Sequence, residues 1–255
     1  MTNSTRRTSS WFMILSFIIA FLSSSAAFSG ALEAEAAFKA NNYEVAYKEW
    51  EEVAKTGDAT AEFNVGFLYS RGFGVPQDYS KAAEWWAKAA TQNMAVAELN
   101  LGLLYSWGKG VQHDDAEAAK LWRSAATQGL PEAQQYLGNA YLVGKGVPQS
   151  GQDAILWFTR AADQGNVDAQ VNLGAAYLSG TNVERNPEIA FHWYEKAAIQ
   201  NDAKAQYNIG LMYLKGIGVG SDLTLATQWF TRSAAQGYER AQIALDRIHS
   251  ALKKT

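Results

Sequence analysis

The chain of 255 residues contains no cysteine, three histidines and four prolines. Without cysteine there is no disulfide framework, no thiolate nucleophile, no cysteine-held metal and no lipid-modified N-terminal cysteine. The histidines, His113, His192 and His249, stand far apart and no two are spaced i, i+4. That leaves a histidine metal site or a nucleophilic triad without its parts. The formal net charge is −3 and no basic cluster occurs, so the electrostatic footprint of a nucleic-acid binder is missing. The acidic pairs Asp114–Asp115 and Glu51–Glu52 read as a helix start and a solvated face. No metal or cofactor is expected, and no residue is assigned a catalytic role.

Long apolar runs are also scarce, with one informative case. Residues 1–10 are polar and include Arg6 and Arg7; residues 11–22, WFMILSFIIAFL, are apolar; SSSAAFSGA then supplies small residues. This order is that of a secretory signal peptide, with cleavage expected after Ser29 and Ala27 or Ala31 as neighbouring options. The apolar run is twelve residues long, short of the roughly 20 needed to span a bilayer. A periplasmic or secreted protein is therefore expected. An inner-membrane anchor, and with it membrane contact, arises only if the signal segment stays uncleaved.

What the chain has in abundance is self-similarity. AEFNVGFLYSRGFGV begins at Ala61, AELNLGLLYSWGKGV at Ala97, AQQYLGNAYLVGKGV at Ala133, AQVNLGAAYLSGTNV at Ala169 and AQYNIGLMYLKGIGV at Ala205. A degraded copy, AQIALDRIHS, begins at Ala241. The period is 36 residues throughout, which is the sequence signature of a solenoid whose units bury their apolar faces against their neighbours.

Within each period the pattern predicts two helices. Ala61, Val65, Leu68 and Tyr69 share one face of the first, and Gly66 recurs inside it as Gly102, Gly138, Gly174 and Gly210. A mid-helix glycine costs about 1 kcal/mol relative to alanine, so its recurrence points to close approach of another helix. The turn reads GFGV, GKGV, GKGV, GTNV and GIGV; Asn182 at a glycine position indicates left-handed backbone rather than a phosphate loop. A second helix is expected after Asp78, Asp114, Ser150, Asn186 and Asp222, all N-cap residue types. Its large column, Trp86, Trp122, Phe158, Tyr194 and Phe230, is expected to interlock with small alanines as repeat core.

The unit A-x-x-x-L-G-x-x-Y-x-x-G-x-G-V followed by A-x-x-W-[WFY]-x-x-A-A-x-Q-G resembles the Sel-one-like repeat, a relative of the tetratricopeptide repeat, over about residues 41–249. The resemblance implies an all-α fold, a right-handed α/α superhelix (solenoid) of 36-residue two-helix repeats. The expected organisation is a signal peptide at 1–29, an N-terminal capping hairpin at 30–57, repeats at 58–93, 94–129, 130–165, 166–201 and 202–237, and a C-terminal capping helix and tail at 238–255. It also implies adaptor or scaffold work, often in the bacterial cell envelope, with no fixed catalytic residue.

By analogy with tetratricopeptide-like arrays, one face of each first helix is expected to line a concave groove. That face carries Thr60, Asn64, Phe67 and Arg71; Val96, Asn100, Leu103 and Trp107; Glu132, Tyr136, Asn139 and Val143; Asp168, Asn172, Ala175 and Ser179; and Lys204, Asn208, Leu211 and Lys215. The partner-binding set expected from it is Asn64, Phe67, Arg71, Asn100, Leu103, Trp107, Tyr136, Asn139, Asn172, Asn208, Leu211 and Lys215. The asparagine column either holds the backbone of an extended peptide or bonds a neighbouring helix. The function expected is a non-catalytic protein-binding scaffold for envelope or secreted proteins. A peptidoglycan or polysaccharide binder that stacks sugars on aromatic rings is the alternative, and a cell-wall hydrolase the less favoured one.

Overall fold

Residues 25–252 are described in a computed structural model of the chain. The apolar run of the expected export signal, residues 11–22, lies outside the described residues.

Thirteen α-helices and no strand occur among the described residues. Helices α1 (Ser25–Lys39) and α2 (Tyr43–Ala54) come first. Then follow α3 (Ala59–Arg71) with α4 (Tyr79–Thr91), α5 (Ala95–Trp107) with α6 (Asp115–Thr127), and α7 (Pro131–Val143) with α8 (Gly151–Asp163). The last pairs are α9 (Val167–Ser179) with α10 (Pro187–Ile199) and α11 (Ala203–Lys215) with α12 (Leu223–Ala235), and α13 (Glu239–Leu252) closes the series. The fold is an all-α solenoid of 36-residue two-helix repeats. It divides into two compact units, Met1–Ala125 and Ala126–Thr255.

Short polar side chains start most of the repeat helices, while α5 and α7 begin on Met94 and Leu130 without a side-chain cap. Asp58 accepts from the Ala61 amide at 2.7 Å, Asn166 from Ala169 at 2.9 Å, and Asp202 from Ala205 at 2.7 Å. Second helices are capped by Asp78, Asp114, Ser150, Asn186 and Asp222, each taking one or two amides that the first turn leaves unpaired. First helices end on glycines in the left-handed region, and Asn182 adopts φ 66° in the turn where its sister repeats have glycine.

The glycine inside each first helix meets the large residue of its own second helix. A Cβ on Gly66 would lie 2.6 Å from the Trp86 ring, and one on Gly138 would lie 2.7 Å from the Phe158 ring. The small residue that receives each aromatic is therefore this glycine, whereas the sequence pattern pointed to the alanine column. Removing one Cβ lets the backbone of one helix sit against a whole ring, whose burial contributes about 1.5–3 kcal/mol. Trp86 and Trp122 also donate their indole N–H groups to the carbonyls of Phe63 and Leu99, at 3.1 and 3.3 Å.

Buried amides tie the repeats together. In the second unit Gln134 donates to the Ala126 carbonyl at 3.2 Å and accepts from Gln164 at 2.9 Å. Gln170 repeats the arrangement with Ala162 and Gln200, and Gln206 with Ala198 and Gln236. Each carboxamide thus gives a helix-end carbonyl of the preceding hairpin a second donor, beside the backbone amide of Gly129, Gly165 or Asn201, and anchors the glutamine that ends its own hairpin. In the first unit the same column carries Glu62 and Glu98, which accept from Gln92 at 2.9 Å and Ser124 at 2.6 Å. A carboxylate has no N–H to offer the preceding carbonyl.

Candidate partner-binding face

The expected face differs between the two units. In the first, α3 is buried continuously over residues 61–70, and α5 over residues 96–104. Asn64, Phe67, Asn100 and Leu103 are buried, which withdraws them from a partner's reach and corrects the expectation drawn from helical spacing. Phe67 lies edge-on to Phe38 and Phe73, with centroids 6.1 and 6.2 Å away. Asn100 donates to the Val96 carbonyl of its own helix at 2.7 Å, and its Oδ1 is buried without a hydrogen-bond partner. Arg71 and Trp107 remain half-buried at the ends of α3 and α5. The Arg71 guanidinium lies 5.6 Å over the Phe67 ring, and the Lys109 ammonium 5.4 Å over Trp107.

In the second unit the same columns are open. Tyr136, Asn139, Asn172, Asn208 and Leu211 are half-buried, while Ala175 and Lys215 are exposed. Asn172 donates to Asn139 at 3.4 Å, so this pair of the asparagine column links neighbouring first helices. Burial raises the pKa of the Tyr136 phenol, with the carboxylates of Asp168 and Glu132 adding to the shift, which keeps this hydroxyl a neutral donor.

Two cavities open on this face. The smaller, about 210 Å³, is floored by Leu142, Ile155 and Phe158 and edged by Asn172, Ala175 and Ser179. It exists because Ala175 stands where Phe67, Leu103 and Leu211 stand in other repeats. The larger, about 580 Å³, lies between α11 and α13 and joins the expected Leu211 and Lys215 to Tyr207, Arg240, Arg247 and Ile248. Sequence reasoning stopped at the last complete repeat and missed the α13 residues. Their signal was present: Arg240 and Arg247 fall 36 positions after Lys204 and Leu211.

Elsewhere the polar chemistry serves the stack. No group of three or more His, Asp or Glu side chains converges as a metal site among the described residues. His113 pairs with Asp115 at 3.2 Å, His192 sits beside the Trp193 ring, and His249 is exposed. Tryptophans of the second helices already have company: Lys88, Arg160, Lys196 and Arg232 lie 3.7–4.7 Å over Trp85, Trp157, Trp193 and Trp229. This W-x-x-[KR] spacing places a cation one helical turn after each ring.

Five consecutive copies of the Sel1 repeat match the chain, at residues 59–94, 95–130, 131–166, 167–202 and 203–238. The chain belongs to the Sel1 repeat family. Proteins built from these repeats generally mediate protein–protein interaction. A protective antigen present in uropathogenic Escherichia coli strains is 38% identical, with a TM-score of 0.84 over 87% of this chain and 48% of its own length. This Sel1 chain thus spans about half of that relative. A Sel1 repeat protein from Oxalobacter formigenes is 32% identical, with a TM-score of 0.78 over 85% of this chain and 86% of its own. No curated protein matches the chain.

Proposed function

We propose that this Sel1 repeat chain is an exported, non-catalytic adaptor of the bacterial cell envelope, holding a protein partner along the first-helix face of its second unit. One observation carries the reading. The residues common to all copies are consumed by packing and capping, whereas the columns that vary between copies stay accessible on α7, α9 and α11, and two cavities open between there and α13. A surface with apolar floors and polar rims suits a polypeptide, which presents both kinds of group. The charged, apolar and small-residue segments of residues 1–29 support export. The antigenicity of the Escherichia coli relative fits a protein that leaves the cytoplasm.

The test is photo-cross-linking in intact cells, with a reactive residue placed at Ala175, at Lys215 or, as a control, at exposed Glu188 on α10. One protein captured from Ala175 and Lys215 but not from Glu188 is expected. Empty traps on a folded, correctly located chain remove the adaptor reading. Recovery of the chain solely from the cytoplasm removes its envelope part.

A further inference from the structure

We propose that the groove between α11 and α13 is a docking site for a short acidic polypeptide segment carrying an apolar side chain. This inference rests on the adaptor reading and names the chemistry of the partner.

Charge changes sign along the second unit. The column that holds Glu132 on α7 and Asp168 on α9 holds Lys204 on α11 and Arg240 on α13. Lys215 and Arg247 line the groove beside Arg240. Four cations therefore sit on the facing stripes of two first helices. No ion pair among the described residues engages any of them. The carboxylates of α13 form no ion pair with the stripe among the described residues, although Asp246 borders Arg247 in an adjoining cavity. Asp246 accepts from Gln242 at 3.0 Å. At about 100° per residue, Glu239 and Asp246 lie roughly a quarter-turn from the Arg240–Arg247 line.

Keeping like charges together without ion pairs works against folding, and beside apolar walls it raises the local positive potential. Those walls are Tyr207, Leu211 and Ile248, with Leu214 and Ile243 exposed at the edge. A purely acidic ligand would leave this apolar floor wet. A purely apolar one would leave the cations unanswered. The complement is an acidic segment with at least one apolar side chain.

The upstream acids set its length. Glu132 and Asp168 oppose an anion that continues along the same face, which excludes a long polyanion. Two neighbouring helices about 10 Å wide each span about six residues of extended peptide.

The probes are fluorescently labelled twelve-residue peptides: one alternating Asp or Glu with Leu and Phe, one with Lys in place of the acids, and one with Ser in place of Leu and Phe. Anisotropy with the purified full-length chain is expected to show binding of the first, and binding about tenfold or more weaker for the other two. Arg240→Glu with Arg247→Glu is expected to weaken the first peptide by at least about tenfold, and Lys48→Glu in the first unit to leave it unchanged. Should the double variant melt early, Arg247→Ala alone is read at the same melting temperature as the parent. The proposal is overturned by unchanged affinity in the folded variants, by no peptide binding, by tighter binding of a single-stranded oligonucleotide, or by self-association that the reversal abolishes. Cross-linking separates the two readings. Capture at Lys215 that survives charge reversal leaves the adaptor standing and removes the acidic ligand, whereas empty traps remove both.

Discussion

The carboxamide of Asn182 fills the space that a side chain at residue 151 would need, and residue 151 is glycine. In the sister turns the residue in place of Asn182 is glycine: Gly74 lies against the Tyr43 carbonyl, Gly110 against that of Tyr79, and Gly218 against that of Pro187. Those glycines lie against the partner's backbone, whereas Asn182 brings a side chain into the turn and that side chain rests where residue 151 would carry its own. Gly151→Ala is therefore expected to cost about 1–3 kcal/mol through overpacking. Adding Asn182→Gly should recover most of it. Urea melts of the two single variants and the double variant measure the coupling, and simple additivity would show that the pair does not share this space.

Gly138 supplies a second test of close packing. Gly138→Val should destabilise by about 3 kcal/mol, because its branches would enter the Phe158 ring. Pairing it with Phe158→Leu is expected to return part of the loss. A near-neutral melt for Gly138→Val would remove this glycine from the contact.

Glu62 predicts a pH dependence with a defined sign. Burial raises its pKa above the ordinary value of 4.5, against a smaller opposing effect of the Gln92 hydrogen bond and the Lys88 charge. The neutral acid is thus favoured in the folded chain relative to the unfolded one. Its contribution to stability is fully present below pH 4.5 and is lost as pH rises through the folded value. Glu62→Gln should raise stability at pH 7 and flatten that slope. Denaturation series from pH 4 to pH 7 on both proteins check it; a gain that is the same at every pH would assign the effect to something other than ionisation.

Gln206 predicts a local effect. Gln206→Leu leaves the Ala198 carbonyl with the Asn201 amide alone and the Gln236 amide with its longer contact to Asn201, at a cost of about 0.5–1.5 kcal/mol per bond lost. Hydrogen exchange should accelerate around the turn between α10 and α11 and stay unchanged in α7. Uniform acceleration across the second unit would mean that the bond is not a local joint.

Repeat length, helix pairs, caps and the left-handed Asn182 were legible because each is decided by residues a few positions apart and restated every 36 residues. The face available to a partner was not. Phe67, Leu103, Asn139, Ala175 and Leu211 share one column, yet the first two are buried and Ala175 is exposed. Spacing within one helix gives a direction; it does not say what stands opposite. The glutamine in A-A-x-Q-G was visible as a motif but had no assigned partner, since its bond reaches 30 residues back to Gln134, Gln170 or Gln206. In the sequence Arg247 reads as the polar outer face of a terminal cap, because that helix lacks the glycine and tyrosine of the complete copies.

The glutamine joints make the second unit an expandable part. A duplicated hairpin inserted between two such joints would offer a side-chain amide to the carbonyl behind it and a carbonyl to the amide ahead, so neither neighbour needs to change. Gene duplication can lengthen the binding face one hairpin at a time while the charges that choose the guest drift separately. The Glu62 and Glu98 joints do not trade places so freely: a hairpin copied from there brings a carboxylate, with no N–H for the carbonyl behind it. Growth of this array is therefore expected at its glutamine end.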